Sequence, residues 1–369
     1  MADNINKNHY SYDVIVIGGG PSGSVTAQLL SRSGLKVKLL NKTKKMAFSC
    51  GESLPPQVSP VIKRLQLDQL LQDSCHKPCP GNLSAFGGDE IIETDFIFSP
   101  YGNGWHLHRA QFDNDLLQLC QSVGVDICDI NDILKVNNHT THWQINFTDH
   151  QNITTAITAK FMVDATGRSG KILNQLSIKT KIYDRLAARC VVYHRQANND
   201  QRTLIESTEN GWWYSAEIPC NKHVIMYFSD TDLPEYKSIK SFAAFSKQLN
   251  KTRHIKNKVS SKLEARDPMV HSFCAQSTQA ERVAGNNWLA VGDAAIGYDP
   301  LSSQGIWQAL LGAEMASNTI IKQFANNSIN PDYTHWINSQ AKEYWMLHKD
   351  FYAQEKRWIN NKFWYRRQN

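Results

Sequence analysis

The hydrophobic pattern at the start of the chain predicts a strand, a helix and a second strand in succession. Residues 13–17 (Asp-Val-Ile-Val-Ile) form a short β-branched run, which is typical of a buried parallel strand. Apolar residues at helical spacing follow over 25–30, and another apolar run covers 35–40, with Gly34 between them. The first forty residues therefore predict one βαβ unit.

Later segments predict a mixture of helices and antiparallel strands. Helical spacing of apolar residues predicts helices over 60–73 and 111–122, and the pattern is helical again from Ser303 onward. Between 140 and 230, threonine, valine and aromatic runs predict mostly antiparallel strands. We therefore expect an α/β fold with a second, antiparallel sheet and a helical C-terminal region.

Composition and charge narrow the class of protein. The 369 residues are 41% hydrophobic and 20% charged, which supplies a buried core and excludes a mainly disordered chain. The net charge is only +6 and the basic residues are scattered, so we expect no nucleic-acid partner. No apolar run reaches the roughly 18 residues of a membrane span, and no secretion-type leader is visible. We expect no membrane span and a cytoplasmic location.

Cysteine and histidine spacing does not predict a metal site. Cys75 and Cys79 have no second Cys/His pair at zinc-finger spacing. His106 and His108 would share one face of a strand, but no third histidine or nearby carboxylate completes a site. We therefore expect no metal, and cysteines that are reduced thiols.

A glycine-rich turn after the first strand is the strongest local motif. Gly18, Gly20 and Gly23 form G-x-G-x-x-G between the predicted strand and helix, with Pro21 and Ser22 inside it. Glycine is needed there because the chain turns tightly and a pyrophosphate must approach bare backbone amides at a helix N-terminus. The motif predicts a dinucleotide-binding site.

The end of the second predicted strand departs from the usual dinucleotide pattern. An acidic residue is expected about 20 positions after the glycines, to hold the ribose hydroxyls. Asn41 stands there instead, followed by Lys42. Asparagine can still hydrogen-bond a diol, whereas the lysine would favour a phosphate. This end of the motif leaves the nucleotide open.

A second glycine motif, near the end of the chain, resembles that of the FAD-dependent aromatic hydroxylases. Residues 288–305 run from an apolar strand through Gly292-Asp293 and Pro300 to Gly305, where a helix begins. The resemblance implies that Asp293 holds the ribityl chain of FAD. It also implies that Pro300, Gly305 and Ile306 lie beside the isoalloxazine ring, with the helix N-terminus at its anionic edge.

Two further motifs extend the resemblance over most of the chain. Arg109 with Asp113 resembles the arginine that reaches the FAD phosphates, and residues 164–167 (Asp-Ala-Thr-Gly) resemble the loop beside the adenosine half. The resemblance implies FAD as cofactor and a Rossmann-type FAD-binding domain of the glutathione reductase type. It further implies three parts: a discontinuous FAD-binding domain over 1–80, 105–175 and 280–330, a substrate domain over 81–104 and 176–279, and a helical region over 331–369.

Within that superfamily, the chain is most similar to the tryptophan-halogenase-like branch. Residues 50–56 (Cys-Gly-Glu-Ser-Leu-Pro-Pro) are similar to the Gly-Glu box that lies near the flavin in that branch. The similarity implies that Glu52 and Ser53 contact FAD, and it makes Glu52 a candidate catalytic carboxylate. Glu52 could equally cap the following helix.

Two halogenase hallmarks are missing. Halogenases relay hypohalous acid through a lysine upstream of the arginine motif, and no lysine stands between Lys77 and Arg109. Lys77 itself is a poor candidate for the relay. Residues 214–219 (Tyr-Ser-Ala-Glu-Ile-Pro) stand where the halogenases have Trp-x-Trp-x-Ile-Pro. The resemblance therefore favours a hydroxylase.

Candidate substrate residues lie in two predicted strands. Trp212, Trp213 and Tyr214 would border a cavity, or would be ordinary core aromatics, and we weigh the two evenly. His106 is a candidate proton acceptor, although a structural histidine in a sheet is the commoner outcome. We name no catalytic base beyond Glu52 and His106.

Residues 51–56 (Gly-Glu-Ser-Leu-Pro-Pro), residues 211–216 (Gly-Trp-Trp-Tyr-Ser-Ala) and the Trp-rich C-terminal stretch together resemble flavoproteins of the LodB/GoxB type, which mature tryptophylquinone oxidases. This resemblance implies oxygen insertion into a tryptophan of a precursor of a quinoprotein amino-acid oxidase, during cysteine tryptophylquinone biogenesis. The chain has one nucleotide fingerprint, so the reductant would be NAD(P)H bound transiently or a separate flavin reductase. Two alternatives stay open: a monooxygenase or halogenase of a free indole, phenol or pyrrole, and a flavin-bearing maturation chaperone.

The C-terminal stretch over 355–367 is basic and aromatic. It would suit a protein-docking surface, because Trp, Tyr and Arg dominate interface anchors. A helix that packs its aromatic residues onto the FAD-binding domain is the favoured alternative.

Overall fold

The computed structural model describes residues 11–42, 53–72, 75–194, 200–258, 268–326 and 331–369. The strands of its first half are β1 (Tyr12–Ile17), β2 (Val37–Lys42), β3 (Ser53–Leu54), β4 (Lys77–Cys79), β5 (Gly81–Ala85), β6 (Ile92–Asp95), β7 (Gly104–His106), β8 (Asp126–Ile130), β9 (Asp132–Asn138), β10 (Trp143–Thr148) and β11 (Thr154–Asp164). Those of its second half are β12 (Thr180–Ile182), β13 (Leu186–His194), β14 (Thr203–Thr208), β15 (Gly211–Ile218), β16 (Lys222–Asp230), β17 (His271–Cys274), β18 (Thr278–Ala280), β19 (Ala284–Gly285), β20 (Trp288–Ala290) and β21 (Ile296–Gly297).

The helices confirm most of the predicted helical segments. They are α1 (Pro21–Arg32), α2 (Ser59–Arg64), α3 (Asp68–Gln72), α4 (Arg109–Ser122), α5 (Lys171–Gln175), α6 (Pro234–Ser238), α7 (Phe242–Leu249), α8 (Ile255–Lys258), α9 (Gly305–Asn326), α10 (Asp332–Ala353) and α11 (Lys362–Gln368). The single helix predicted over 60–73 is wrong, because Gln66 takes a positive φ of 58° and separates α2 from α3.

The predicted βαβ unit forms the centre of the largest sheet. Strand β1 pairs in parallel with β2 on one side and with β11 on the other. Strand β8 extends the sheet beyond β2, and β20 extends it beyond β11, again in parallel. Parallel strands end at the same edge of a sheet, so the segments that follow β1, β2, β11 and β20 lie close together. Sequence-distant motifs meet at this edge.

A seven-stranded sheet forms the second layer, in the order β17-β13-β16-β15-β14-β5-β6. Its pairs are antiparallel, except for the parallel pair β14–β5. Every residue of its central strand β15 is buried, so both faces of the sheet are covered. The α/β fold with a second, antiparallel sheet and a helical C-terminal region is confirmed.

The C-terminal helices connect the two layers. Tyr333 and Tyr344 of α10 are buried in the core of the large sheet, whereas Tyr352 at its end packs against the seven-stranded sheet. Phe363 and Trp364 of α11 are fully buried against that same sheet. The 355–367 stretch was expected to pack on the FAD-binding domain. That expectation is wrong, because its aromatic residues pack on the seven-stranded sheet.

Buried polar contacts hold the C-terminal stretch over 355–367 against the seven-stranded sheet. The Arg367 guanidinium lies 2.7 Å from a carboxylate oxygen of Asp230, and both side chains are almost fully buried. Trp364 donates its indole N–H to the Thr208 carbonyl at 3.0 Å. These contacts make α11 part of the layer that covers one face of the seven-stranded sheet.

Across the described ranges, none of the helices combines the length and apolar character needed to cross a bilayer. The three-part domain division stays a prediction.

Candidate functional site

The glycine-rich turn lies between β1 and α1, at the carboxyl edge of the parallel strands. A Cβ on Gly18 would overlap the Ala165 carbonyl oxygen, and one on Gly23 would overlap the Gly18 oxygen. Gly20 differs, because an added Cβ would meet no atom within 4 Å. It is the N-cap of α1, and Pro21 opens the helix. The turn thus has an open side at a helix N-terminus, where a diphosphate would be stabilised.

The second glycine motif lies against the first. A Cβ on Gly292 would stand 2.5 Å from Ser22 Oγ. Asp293 follows in a 3₁₀ turn, and its carboxylate lies 3.6 Å from the Arg168 guanidinium. Arg168 also donates to the Tyr298 carbonyl at 2.7 Å. The two predicted FAD motifs are therefore neighbours in space.

Sequence reasoning missed Arg168. The residue directly follows the 164–167 segment, so its position beside a recognised motif was the available signal. Its partner Asp293 comes from the turn after β20, and only the parallel pairing of β11 with β20 brings them together.

A carboxylate of the neighbouring strand lies beside Asn41 at the end of β2. Asn41 Nδ2 donates to Asp129 Oδ1 at 2.8 Å, and the register pairs these two residues across β2 and β8. A Cβ on Gly19 would overlap Asn41 Oδ1, which places the amide over the glycine turn. Lys42 is engaged with Asp132 at 3.0 Å. Its predicted role toward a phosphate stays a prediction.

Arg109 begins α4, and its guanidinium lies along its own helix. It donates to both carboxylate oxygens of Asp113, at 3.1 and 3.2 Å, and its side chain is 11% exposed. Contact with the FAD phosphates stays a prediction. The neighbouring His108 is the N-cap of α4 and accepts from the Gln111 backbone N–H. His106 ends β7, so the expectation that the two histidines share a strand face is wrong.

The turn before α9 is held by a buried carboxylate. Asp299 Oδ1 accepts from the Leu301 backbone N–H at 2.8 Å, and Ser303 takes a left-handed φ of 50°. α9 begins at Gly305, where an added Cβ would meet no atom within 4 Å. Ile306 is buried in the apolar cluster beneath the helix. The turn thus presents a second open helix N-terminus.

The Gly-Glu box is only partly visible. Glu52, predicted both as an FAD contact and as a catalytic carboxylate, lies outside the described residues. Ser53 is described, and its Oγ lies 2.6 Å from the Tyr214 hydroxyl. This hydrogen bond joins the box to β15, the central strand of the seven-stranded sheet.

The three aromatic residues predicted to border a cavity lie on two faces of β15. Trp212 and Tyr214 pack in the apolar cluster that includes Leu301, on the side of the turn before α9. Trp213 packs on the opposite face, with Phe245. Successive side chains of a strand alternate between faces, so Trp213 cannot border the same cavity as its neighbours. It is a core aromatic, 1% exposed.

A buried polar group lies where β4 and β7 meet β15. Lys77 Nζ lies 2.5 Å from Glu217 Oε1, and the glutamate side chain is only 5% exposed. His106 is fully buried, with Nε2 3.0 Å from Thr203 Oγ1. Burial lowers the pKa of the His106 imidazole to about 4, because the low-dielectric interior disfavours the charged ring. The ring is therefore neutral near neutral pH.

Within the described ranges, one group of side chains has metal-like spacing. Ligand atoms of Asp184, Asp299 and His348 lie within 4.8 Å of one another. Asp184 already accepts from the backbone N–H groups of Leu186 and Ser277. The absence of a metal stays a prediction.

The fold and this edge of the sheet define an FAD-dependent oxidoreductase. The chain belongs to the FAD binding domain family, whose sequence model matches residues 11–317. It is 28% identical over 361 residues to LodB, an FAD-dependent oxidoreductase of Marinomonas mediterranea, and the match covers 97% of each chain.

Solved structures of other flavoproteins share the fold, including the following two. One is the myxobacterial chondrochloren halogenase CndH, a variant of FAD-dependent halogenases, with a TM-score of 0.82, 20% identity and coverage of 97% of this chain and 86% of that one. The other is QhpG, a peptidyl tryptophan dihydroxylase essential for tryptophylquinone cofactor biogenesis. Its TM-score is 0.77 at 21% identity, with 97% of this chain and 79% of that chain covered.

The residues present fit FAD, which is confirmed as the cofactor. Gly20 and Gly305 leave open space at two helix N-termini, one suited to a diphosphate and one to an anionic ring edge. Asp293 directly follows Gly292, which packs against Ser22 of the glycine turn. The predicted resemblance to FAD-dependent monooxygenases of the halogenase-like branch is also confirmed.

Proposed function

We propose that this enzyme inserts oxygen into a tryptophan side chain of a precursor polypeptide, during biogenesis of cysteine tryptophylquinone. The precursor is that of a quinoprotein amino-acid oxidase. The observation that carries the proposal is the match to LodB, which extends over 97% of both chains. The shared fold with a peptidyl tryptophan dihydroxylase supports the same reaction class.

The reaction needs a balance of atoms and electrons. One atom of O2 forms a bond to an indole carbon, whose C–H bond breaks, and the other atom leaves as water. FAD, when bound and reduced, supplies the two electrons and activates O2. NAD(P)H or a separate flavin reductase restores those electrons.

The chain's own residues would bind and orient the reactants. The α1 N-terminus at Gly20 would hold the diphosphate, Asp293 the ribityl hydroxyls, and the α9 N-terminus at Gly305 the ring edge. Tyr214 and Trp212 lie on the sheet face toward the turn before α9, where they would keep water from the reacting ring. Glu52 and His106 stay the candidate catalytic residues.

The Lys77–Glu217 pair supports a hydroxylase over a halogenase. A lysine that relays hypohalous acid needs its amine available to the oxidant. The Lys77 amine is instead engaged by a buried carboxylate at 2.5 Å. An oxygen atom passed directly to the aromatic ring requires no such lysine.

The test is maturation of the precursor in cells that express both proteins under isotope-labelled O2. We expect the target tryptophan to gain labelled oxygen only when this flavoprotein is present, as read by peptide mass spectrometry. A protein that leaves the precursor unlabelled but oxygenates free indole, phenol or pyrrole is a small-molecule monooxygenase. Halide incorporation into those compounds would identify a halogenase.

Asp293→Ala separates an enzyme from a chaperone. The variant should lose FAD and should leave the precursor tryptophan unmodified. If the variant lacks flavin and the precursor still matures fully, the catalytic proposal is wrong and the protein acts as a maturation chaperone.

A cytoplasmic location is part of the proposal, because the seven described cysteines form no disulfide.

A further inference from the structure

Three side chains from one face of α10 converge on Asp299. Tyr344, His348 and Tyr352 are spaced four residues apart, so they lie on the same side of the helix. The Tyr344 hydroxyl accepts from the Asp299 backbone N–H at 2.7 Å. His348 Nε2 lies 3.3 Å from Asp299 Oδ2, and the Tyr352 hydroxyl donates to that oxygen at 2.8 Å. Helix α10 thus contacts both the backbone and the carboxylate of Asp299, the residue before Pro300.

The other oxygen of the same carboxylate holds the turn before α9. Asp299 Oδ1 accepts from the Leu301 N–H, and the Ser302 hydroxyl donates to the Asp299 carbonyl at 2.9 Å. Ser303 completes the turn with its left-handed φ. Since one rigid carboxylate joins both sets of bonds, its orientation is transmitted from α10 to the turn.

The Tyr352 hydroxyl also contacts the second sheet. It accepts a hydrogen bond from Trp212 Nε1 at 3.1 Å. Trp212, Tyr352 and Asp299 are each at most 1% exposed, so the chain of bonds is buried in the protein interior. Hydrogen bonds in such surroundings strengthen one another, and an unmade one is costly.

The charges around Asp299 keep it an anion. Burial would raise the pKa of its carboxyl, but the hydrogen bond and charge of His348 and the Leu301 N–H outweigh burial and hold that pKa below its usual value. Arg367 lies over the Tyr352 ring and is paired with Asp230. Asp184 is the other carboxylate nearby. An ionised Asp299 accepts all three bonds at once.

We propose that Tyr352 is a positioning residue of the flavin site. Through Asp299, its hydroxyl sets the conformation of the turn at 300–303 and ties that turn to Trp212 on β15. The proposal rests on the placement of the isoalloxazine ring beside Pro300 and Gly305, which belongs to the proposed function.

The test is Tyr352→Phe in the full-length protein loaded with FAD. The change removes one oxygen atom and keeps the ring packing, so Asp299 Oδ2 loses a donor and Trp212 Nε1 loses its acceptor. We expect the dissociation constant for FAD to rise about tenfold, which corresponds to one charged hydrogen bond. The absorption band and the reduction potential of the bound flavin should shift as well.

Tyr236→Phe is the matched control. Tyr236 is 5% exposed, and its hydroxyl lies 2.7 Å from Ser272 Oγ, away from the turn. It should lose a similar amount of stability with FAD affinity, spectrum and potential unchanged. Equal effects of the two variants on the flavin would overturn the proposal, because general loosening would then explain both.

His348→Ala gives a second, independent reading if Tyr352→Phe does not fold. It removes the other partner of Asp299 Oδ2 and should shift the same flavin properties in the same direction. If the variant that folds has an unchanged FAD affinity, absorption band and reduction potential, the proposed positioning role of Tyr352 is wrong. If Asp293→Ala loses FAD in the same experiments, the proposed FAD site stands even where the positioning role of Tyr352 is refuted. If Asp293→Ala keeps FAD, the placement of the site itself is wrong.

Discussion

Lys77 and Glu217 form an ion pair between the outer strand β4 and the central strand β15, with their charged atoms 2.5 Å apart. The carboxylate is 5% exposed and the lysine side chain 23% exposed. The lysine therefore places a positive charge beside a buried carboxylate, which is a structural task. Two variants separate that task from catalysis.

Lys77→Met should cost stability without affecting the chemistry. Loss of the lysine charge beside the buried Glu217 carboxylate costs about 2–3 kcal/mol, less than for a fully buried pair because the lysine is partly exposed. The midpoint of urea unfolding should fall accordingly. Oxygen insertion per bound FAD should stay close to that of the unmodified protein.

The matched control is Lys77→Met combined with Glu217→Gln, which removes both charges of the pair. Its unfolding midpoint should recover most of the loss, as a double-mutant cycle would show. A double variant that is folded and yellow but inactive would make Lys77 catalytic and would reopen the halogenase alternative.

Gly20→Ala should fold normally and bind FAD poorly. An added Cβ meets no protein atom within 4 Å, and the backbone φ of −76° suits alanine. The methyl group would occupy the open side of the turn, where the diphosphate must contact bare amides. We expect at least a tenfold weaker FAD affinity by titration, with an unfolding midpoint of the apoprotein that is unchanged.

Gly88→Ala is the control for that experiment. A Cβ on Gly88 also meets no atom within 4 Å, but the residue lies between β5 and β6 of the seven-stranded sheet and is no part of the glycine turn. Its FAD affinity should equal that of the unmodified protein. Equal affinity in Gly20→Ala as well would show that the diphosphate does not lie over the turn.

His106 should make the protein less stable as the pH falls. The pKa of the folded-state imidazole is about 4, against an ordinary 6.5 in the unfolded chain. Between these two values the unfolded chain binds a proton that the native state refuses, so the free energy of unfolding decreases as pH is lowered through this window. The contribution is about 3 kcal/mol at full titration.

The measurement is urea unfolding at several pH values between 4 and 7, with His106→Gln as the comparison. Other groups titrate in both proteins, so their contribution cancels in the difference. The variant should show the shallower dependence on pH. Parallel curves for the two proteins would mean that the pKa of His106 is the same in the folded and unfolded states.

Arg367→Ala should destabilise the protein far more than Arg366→Ala. Both arginines contact Asp230, but Arg367 is 2% exposed and Arg366 30% exposed. Removing Arg367 leaves a buried carboxylate with one partner fewer and costs about 3–5 kcal/mol. Removing Arg366 costs about 1 kcal/mol. Similar small losses for both would favour a docking role for the tail over a structural one.

The first βαβ unit and its glycine turn could be predicted from the sequence because their causes are local. A β-branched run, a G-x-G-x-x-G turn and a helical apolar pattern lie within residues 13–40, and no distant segment is needed to explain them. Helix α4 was predicted for the same reason. The two-helix form of 59–72 was missed, since a single left-handed residue, Gln66, leaves no trace in the apolar spacing.

The alternation of Trp212, Trp213 and Tyr214 was implicit in the strand that the sequence predicted. What covers each face was not, because that depends on packing between segments far apart in the chain. Trp213 meets Phe245, whereas Trp212 meets Tyr352, which is separated from it by 140 residues.

The family, the cofactor and the order of the motifs could be read from the amino-acid sequence, because each motif is a short run whose backbone requires particular residues. The partners of those motifs depend on how the chain folds in three dimensions. Asp129 stands beside Asn41 through strand pairing, Arg168 beside Asp293, and Tyr352 beside Asp299 through helix packing. Such contacts arise from the crossing of distant elements, and no local pattern of hydrophobic and polar residues encodes them.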